Sequence, residues 1–104
     1  MKKMTLEDFK RLHDKMDIMG YAYDSENQKW HDLIGVSFRA DELLVSPMNR
    51  QVCLKHDRDY MRFNNVKYVI QERGFEWVRI FTFMCGKQPS TGNDIPYTVL
   101  VITK

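Results

Sequence analysis

Residues 66–85, VKYVIQERGFEWVRIFTFMC, form the densest apolar and aromatic run in the chain. Val, Ile, Tyr, Phe and Trp pack well on a pleated surface, and Arg73-Gly74 divides the run into two halves of strand length. The reading is a β-hairpin joined at Arg73-Gly74. In its second half Phe75, Trp77, Arg79, Phe81 and Phe83 alternate with Glu76, Val78, Ile80, Thr82 and Met84, so both faces are apolar at the centre. Such a strand is either covered on both sides or leaves an aromatic face open to a partner. The rest of the chain must supply the cover.

With 104 residues the chain has the size of one domain, 1–104, long enough to bury roughly two thirds of the surface its unfolded form exposes. A hydrophobic share of 43% beside a charged share of 29% belongs to a globular chain and argues against disorder. No apolar run reaches the roughly 18 to 20 residues that a membrane-crossing helix needs, and the first turns carry charge where a signal peptide would be apolar. The expected compartment is the cytoplasm, where Cys53 and Cys85 would be reduced, buried thiols.

The net charge of +2 does not announce a nucleic-acid or membrane partner. Its distribution says more: residues 21–49 sum to −3 and residues 50–73 to +3. Either the two segments face one another in the fold, or the second presents a basic patch.

Thr5 and Asp8 form a capping-box pattern with Asp in place of Glu or Gln, and Met4 and Phe9 hold the staple positions. Leu6, Phe9, Leu12, Met16 and Met19 recur at helical spacing, which predicts a helix over 6–19 stopped by Gly20. His13, at the edge of the stripe, reads as a packing residue. Residues 21–32 have the shape of a hairpin with a polar turn at 25–28, residues 34–40 alternate as a strand, and shorter strands fit 43–45 and 51–55 around a turn at 47–50. Residues 55–65, KHDRDYMRFNN, show no strict period and read as a loop or one turn of helix. Residues 86–94 read as a flexible loop, and residues 95–103 as a final strand that begins at a sheet edge because Pro96 lacks a donor.

The expected fold is α+β: one N-terminal helix packed on a twisted, mainly antiparallel sheet or partly closed barrel of six to eight strands. Parallel connections would need helices that the sequence does not supply.

Residues 73–80, RGFEWVRI, resemble the RNP1 strand of RNA-recognition motifs, K/R-G-F/Y-G/A-F-V-x-F/Y, whose aromatics stack on bases. Three positions depart: Glu76 stands where a small residue belongs, Trp77 where the pattern has Phe, and Ile80 where it has an aromatic. That family also places a helix before its last strand, and residues 86–94 are too short and too rich in breakers for one. The likeness therefore implies a base-stacking strand more than membership. Beside it, Lys55, Arg58, Arg62 and Lys67 interleave with Tyr60, Phe63 and Tyr68, a mixture that suits single-stranded nucleic acid, although Asp57 and Asp59 interrupt it.

Signals for catalysis are thin. His56-Asp57-Arg58-Asp59 and His31-Asp32 put imidazoles beside carboxylates, without the helical or paired spacing of dedicated ligands. The glycine-rich segment at 86–94 lacks the phosphate-cradle order, and no serine stands in a nucleophile elbow. We assign no catalytic residue, metal ligand or cofactor.

Tyr, Trp, Phe, Met and Arg, the types enriched at interfaces, are abundant. The leading expectation is thus a small non-enzymatic binding protein with a protein partner and no membrane, of the inhibitor or accessory type that phage or mobile-element genes encode. The alternative is a single-stranded RNA or DNA binder. The candidate binding residues are Arg58, Tyr60, Arg62, Phe63, Lys67, Trp77, Arg79 and Phe81. The chain is expected to be a monomer or a homodimer paired through its C-terminal edge strand, residues 97–102.

Overall fold

The structure, a computed structural model, describes residues 1–23, 38–74, 76–87 and 90–104. The hairpin proposed at 21–32 lies mostly outside them, as do His31-Asp32 and the first part of the strand at 34–40.

Nine strands and one helix are described: β1 (Lys2–Met4), α1 (Leu6–Asp14), β2 (Ile18–Tyr23), β3 (Phe38–Ala40), β4 (Glu42–Ser46), β5 (Gln51–His56), β6 (Asp59–Phe63), β7 (Val66–Gln71), β8 (Val78–Lys87) and β9 (Asp94–Thr103). They form a six-stranded sheet of order β1-β7-β8-β9-β2-β3 and a three-stranded sheet of order β4-β5-β6. Every pairing is antiparallel. The expected class is the observed one: a single helix packs with a mainly antiparallel sheet, no barrel closes, and a separate small sheet adds strands to the expected count.

Helix α1 starts where the sequence says it should. The Thr5 hydroxyl accepts from the Asp8 backbone N–H at 3.1 Å, and Met4 and Phe9 both enter the core. The helix stops five residues short of the predicted Met19. Lys15 and Met16 donate three residues back, to the Leu12 and His13 carbonyls, which tightens the last turn and ends it. From Ile18 the chain is β2, paired with β9. Met16 still packs on the core, whereas Met19 is 64% exposed. Gly20, expected as a helix stop, lies inside a strand at an irregular register.

The central hairpin is β7 and β8, with Val69 opposite Phe83 and Gln71 opposite Phe81. Gly74 lies in its connection, where a Cβ would overlap the Val78 carbonyl oxygen. Strand β8 begins at Val78, later than expected, and runs through Gly86 and Lys87, which the sequence had placed in a loop. Its alternation is the predicted one from there on: Phe81, Phe83 and Cys85 face α1 and the second sheet, while Ile80 and Thr82 face the other way. Both faces are buried at the centre, as a strand with two apolar faces requires. On the far face Thr82 and Thr98, directly opposed, share a hydroxyl hydrogen bond of 3.0 Å, which satisfies two polar groups that burial would otherwise leave costly.

Strand β9 is not an open edge. It is paired along Val78–Lys87 on one side and, from Val99 to Thr103, with β2 on the other. Residues 99–102 thus have strand neighbours on both sides, and their backbone is already used within the chain. Pro96 precedes the β2 pairing, in the stretch opposite Met84, where a missing donor is tolerated.

The two sheets and α1 enclose one apolar cluster. Phe9 is fully buried, with edge-on rings of Phe81 and Phe83 at 4.9 and 5.2 Å. Phe9→Ala is expected to cost about 3–5 kcal/mol through lost burial and the cavity left behind, read as a lower urea midpoint with an unchanged m-value.

Candidate functional site

Residues 55–65, read from sequence as a loop or a turn of helix, are the second hairpin of the small sheet. His56 pairs with Asp59 across a two-residue turn, Asp57-Arg58, with Asp57 at φ 54°. Asp tolerates this left-handed conformation at small cost, so the turn is as tight as an Asp-Gly one without the glycine that would have signalled it. Asn65, at φ 56°, does the same between β6 and β7.

Register then fixes which side chains face solvent. Across β4, β5 and β6, Leu43, Leu54 and Met61 form one row and Val45, Val52 and Phe63 another, all on the core side. The opposite face carries Glu42, Lys55 and Tyr60 in one row and Leu44, Cys53 and Arg62 in the next. Tyr60 is 54% exposed and Leu44 48%. The Arg62 guanidinium lies over the Tyr60 ring at 4.4 Å, a cation–π contact that orders both side chains on the surface. Arg58 is exposed at the adjoining turn. Neither Lys55, Arg58 nor Arg62 has a carboxylate in ion-pair range among the described residues.

Two of the eight candidate residues, Tyr60 and Arg62, thus come together on this face, with Arg58 at the adjoining turn. The others do not join them. Phe63 is 3% exposed and points into the core, where it stacks on Tyr97 at 4.8 Å and on Phe83 at 6.0 Å. Phe81 is fully buried beneath Phe9. Both were expected on a binding surface, and alternation in β6 and β8 puts them on the inner sides. Lys67 pairs with Asp94 at 3.1 Å on the large sheet. Arg79 is exposed on β8 beyond the end of α1, and Trp77, 53% exposed, sits in the turn before that strand. Among the described residues of the octapeptide resembling RNP1, Val78, Arg79 and Ile80 lie in strand and Trp77 in the turn before it.

Sequence reasoning missed Leu44 and the half-buried Cys53 as neighbours of Arg62. The available signal was the alternation continuing through residues 59–63, which the charges hid.

The imidazole and carboxylate cluster does not converge. His56, Asp57 and Asp59 are all exposed on the turn, and His56 Nδ1 lies 3.7 Å from Asp41 Oδ2. The electrostatically unusual histidine is His13. Its Nε2 is 2.5 Å from Tyr21 Oη, its ring stacks on that phenol, and its Nδ1 lies 3.7 Å from Asp14 Oδ1. A neutral ring that accepts the tyrosine O–H at Nε2 keeps its own proton on Nδ1, toward Asp14. Burial lowers the His13 pKa, with Asp14 opposing the shift. Burial also pushes the Tyr21 phenol up to about 12 and the Cys85 thiol up to about 11. Cys53 and Cys85 are both free thiols.

Compared with known proteins, the chain matches no family model, no curated protein and no solved structure. No helix among the described residues is long and apolar enough to cross a membrane.

Two outcomes test this placement. Phe63→Ala is expected to cost about 3–5 kcal/mol in urea unfolding, whereas Tyr60→Ala, on the surface, is expected to change stability by less than about 1 kcal/mol. A lowered pKa means that folded His13 binds fewer protons than unfolded His13, so its contribution is full above the unfolded value and is lost as pH falls below about 6.5. The stability advantage of the parent chain over His13→Gln should accordingly be larger at pH about 7.5 than at about 5.5.

Proposed function

We propose that this chain is a small non-enzymatic binding protein that docks a protein partner on the outer face of β4, β5 and β6. The observation that carries this reading is the ordered Tyr60–Arg62 pair beside Leu44 and Cys53, on a sheet face whose other side fills the core. Aromatic and arginine side chains held in place before contact lose little entropy on binding and are the usual anchors of an interface. Leu44 and Cys53 supply apolar area between them. Among the described residues β4 and β6 each have only β5 beside them, so an extended partner segment could also add at either edge. Contact of this kind suits an inhibitor or accessory factor, which acts by covering or bridging its partner's surface.

Site-specific photo-crosslinking in extract of the native cell tests it. A benzophenone side chain in place of Tyr60 or of Leu44 should capture the same discrete protein, while the same probe at Glu7, on the exposed side of α1, should not. Tyr60→Ala with Arg62→Ala should then weaken binding of that protein by about 30-fold or more, the scale of a hot-spot loss. Identical products from all three probe positions would end the proposal.

A further inference from the structure

A second surface lies on the other side of the helix. One cavity of about 440 Å³ is bounded by Lys2 and Lys3 of β1 and by Arg11, Leu12 and Lys15 of α1. A second, of about 340 Å³, shares Leu12 and Lys15 and continues past Arg79 of β8 to Lys104. Together they make one groove along α1, with Leu12, Met4 and Met16 as apolar floor and six exposed cations on its walls. Only two carboxylates line it, and each is already engaged: Asp8 with Arg11, and Asp17 with Lys104 at 3.6 Å. Lys2, Lys15 and Arg79 have no ion pair among the described residues. The groove thus holds a local balance of +4 in a chain whose total is +2.

The geometry points to this groove as a binding site for the sugar-phosphate backbone of a single-stranded nucleic acid. Closely spaced cations around an apolar floor repel one another until a polyanion enters, and counterion release then favours binding. A single strand fits better than an acidic polypeptide because a half-exposed aromatic adjoins one end of the groove. The Trp77 carbonyl accepts from the Thr103 backbone N–H at 2.7 Å, which puts this half-exposed indole's residue beside the Arg79 and Lys104 end. Cations that track phosphates beside a ring that can stack on a base are what a sequence-tolerant single-strand site needs. This surface is separate from the Tyr60–Arg62 face, and the two proposals fail independently.

Fluorescence anisotropy with labelled oligo(dT) and oligo(rU) decides it, with a poly-glutamate chain of matched charge as competitor. Binding should be tight at low ionic strength and fall linearly in log K against log salt. Lys15→Ala with Arg79→Ala should reduce that slope by about 1.4, at about 0.7 per lost phosphate contact on a single strand. Trp77→Ala should weaken binding about 5-fold or more, the lower end of one lost stacking contact. Tyr60→Ala with Arg62→Ala should change nothing and serves as a folded control. No binding at low salt, a slope indifferent to Lys15 and Arg79, or equal competition by poly-glutamate would each overturn the assignment.

Discussion

Phe81 and Phe83 leave the same face of β8, and the packing of both layers depends on what meets them. Phe9 comes down from α1 onto both rings, edge-on. Phe63 comes across from the small sheet and lies nearly parallel to Phe83, with its own ring also against Tyr97 and Tyr23. Edge-on and offset contacts of this kind are the favoured arrangements of aromatic quadrupoles, and here they tie a helix and two sheets through one run of rings. A nine-residue helix is only about 13 Å long, too short to cover the inner face of a six-stranded sheet. Among the described residues the small sheet adds to that cover, and for that reason its core side is as apolar as that of β8.

How much of this could be read from the sequence follows from how local each determinant is. The helix start was legible because the Thr5 cap and the Phe9 spacing act within one turn. The β7–β8 hairpin was legible because a strand with two apolar faces has few alternatives. The end of the helix was not, because Met16 and Met19 satisfy a helical period while residues 18–23, IMGYAY, satisfy a ladder with β9 that no local window contains. Residues 55–65 failed for the opposite reason. Their alternation is short and interrupted by charge, and Asp57 makes the tight turn without advertising it. Once the turn is placed, Phe63 can only face inward, and a residue taken for a surface aromatic becomes the link between layers.

The sequence set a basic segment at 50–73 against an acidic one at 21–49, and among the described residues no Lys or Arg of the first has a carboxylate of the second in ion-pair range. Strand β4 lies against β5, which sets Glu42 opposite Lys55 and Asp41 beside His56. The cations of the basic segment are instead dispersed by the fold, Arg58 and Arg62 to the small sheet and Lys67 to the large one, where it pairs with Asp94. The groove along α1 arises in the reverse way. Its cations come from the first strand, the helix, the middle of the chain and the last residue, and no sequence window contains enough of them to register as basic.

That difference bears on how a small chain can carry two surfaces without one disturbing the other. The Tyr60–Arg62 face belongs to a sheet whose inner residues are locked by Phe63, and the groove belongs to the junction of β1, α1 and β8, locked by Phe9. Both locks converge on Phe83, so the surfaces are rigidly related through the core while sharing no side chain. Two ligands held on such a scaffold would sit at a fixed separation. A protein partner on the sheet and a strand in the groove would each raise the local concentration of the other without any change of shape, through geometry alone.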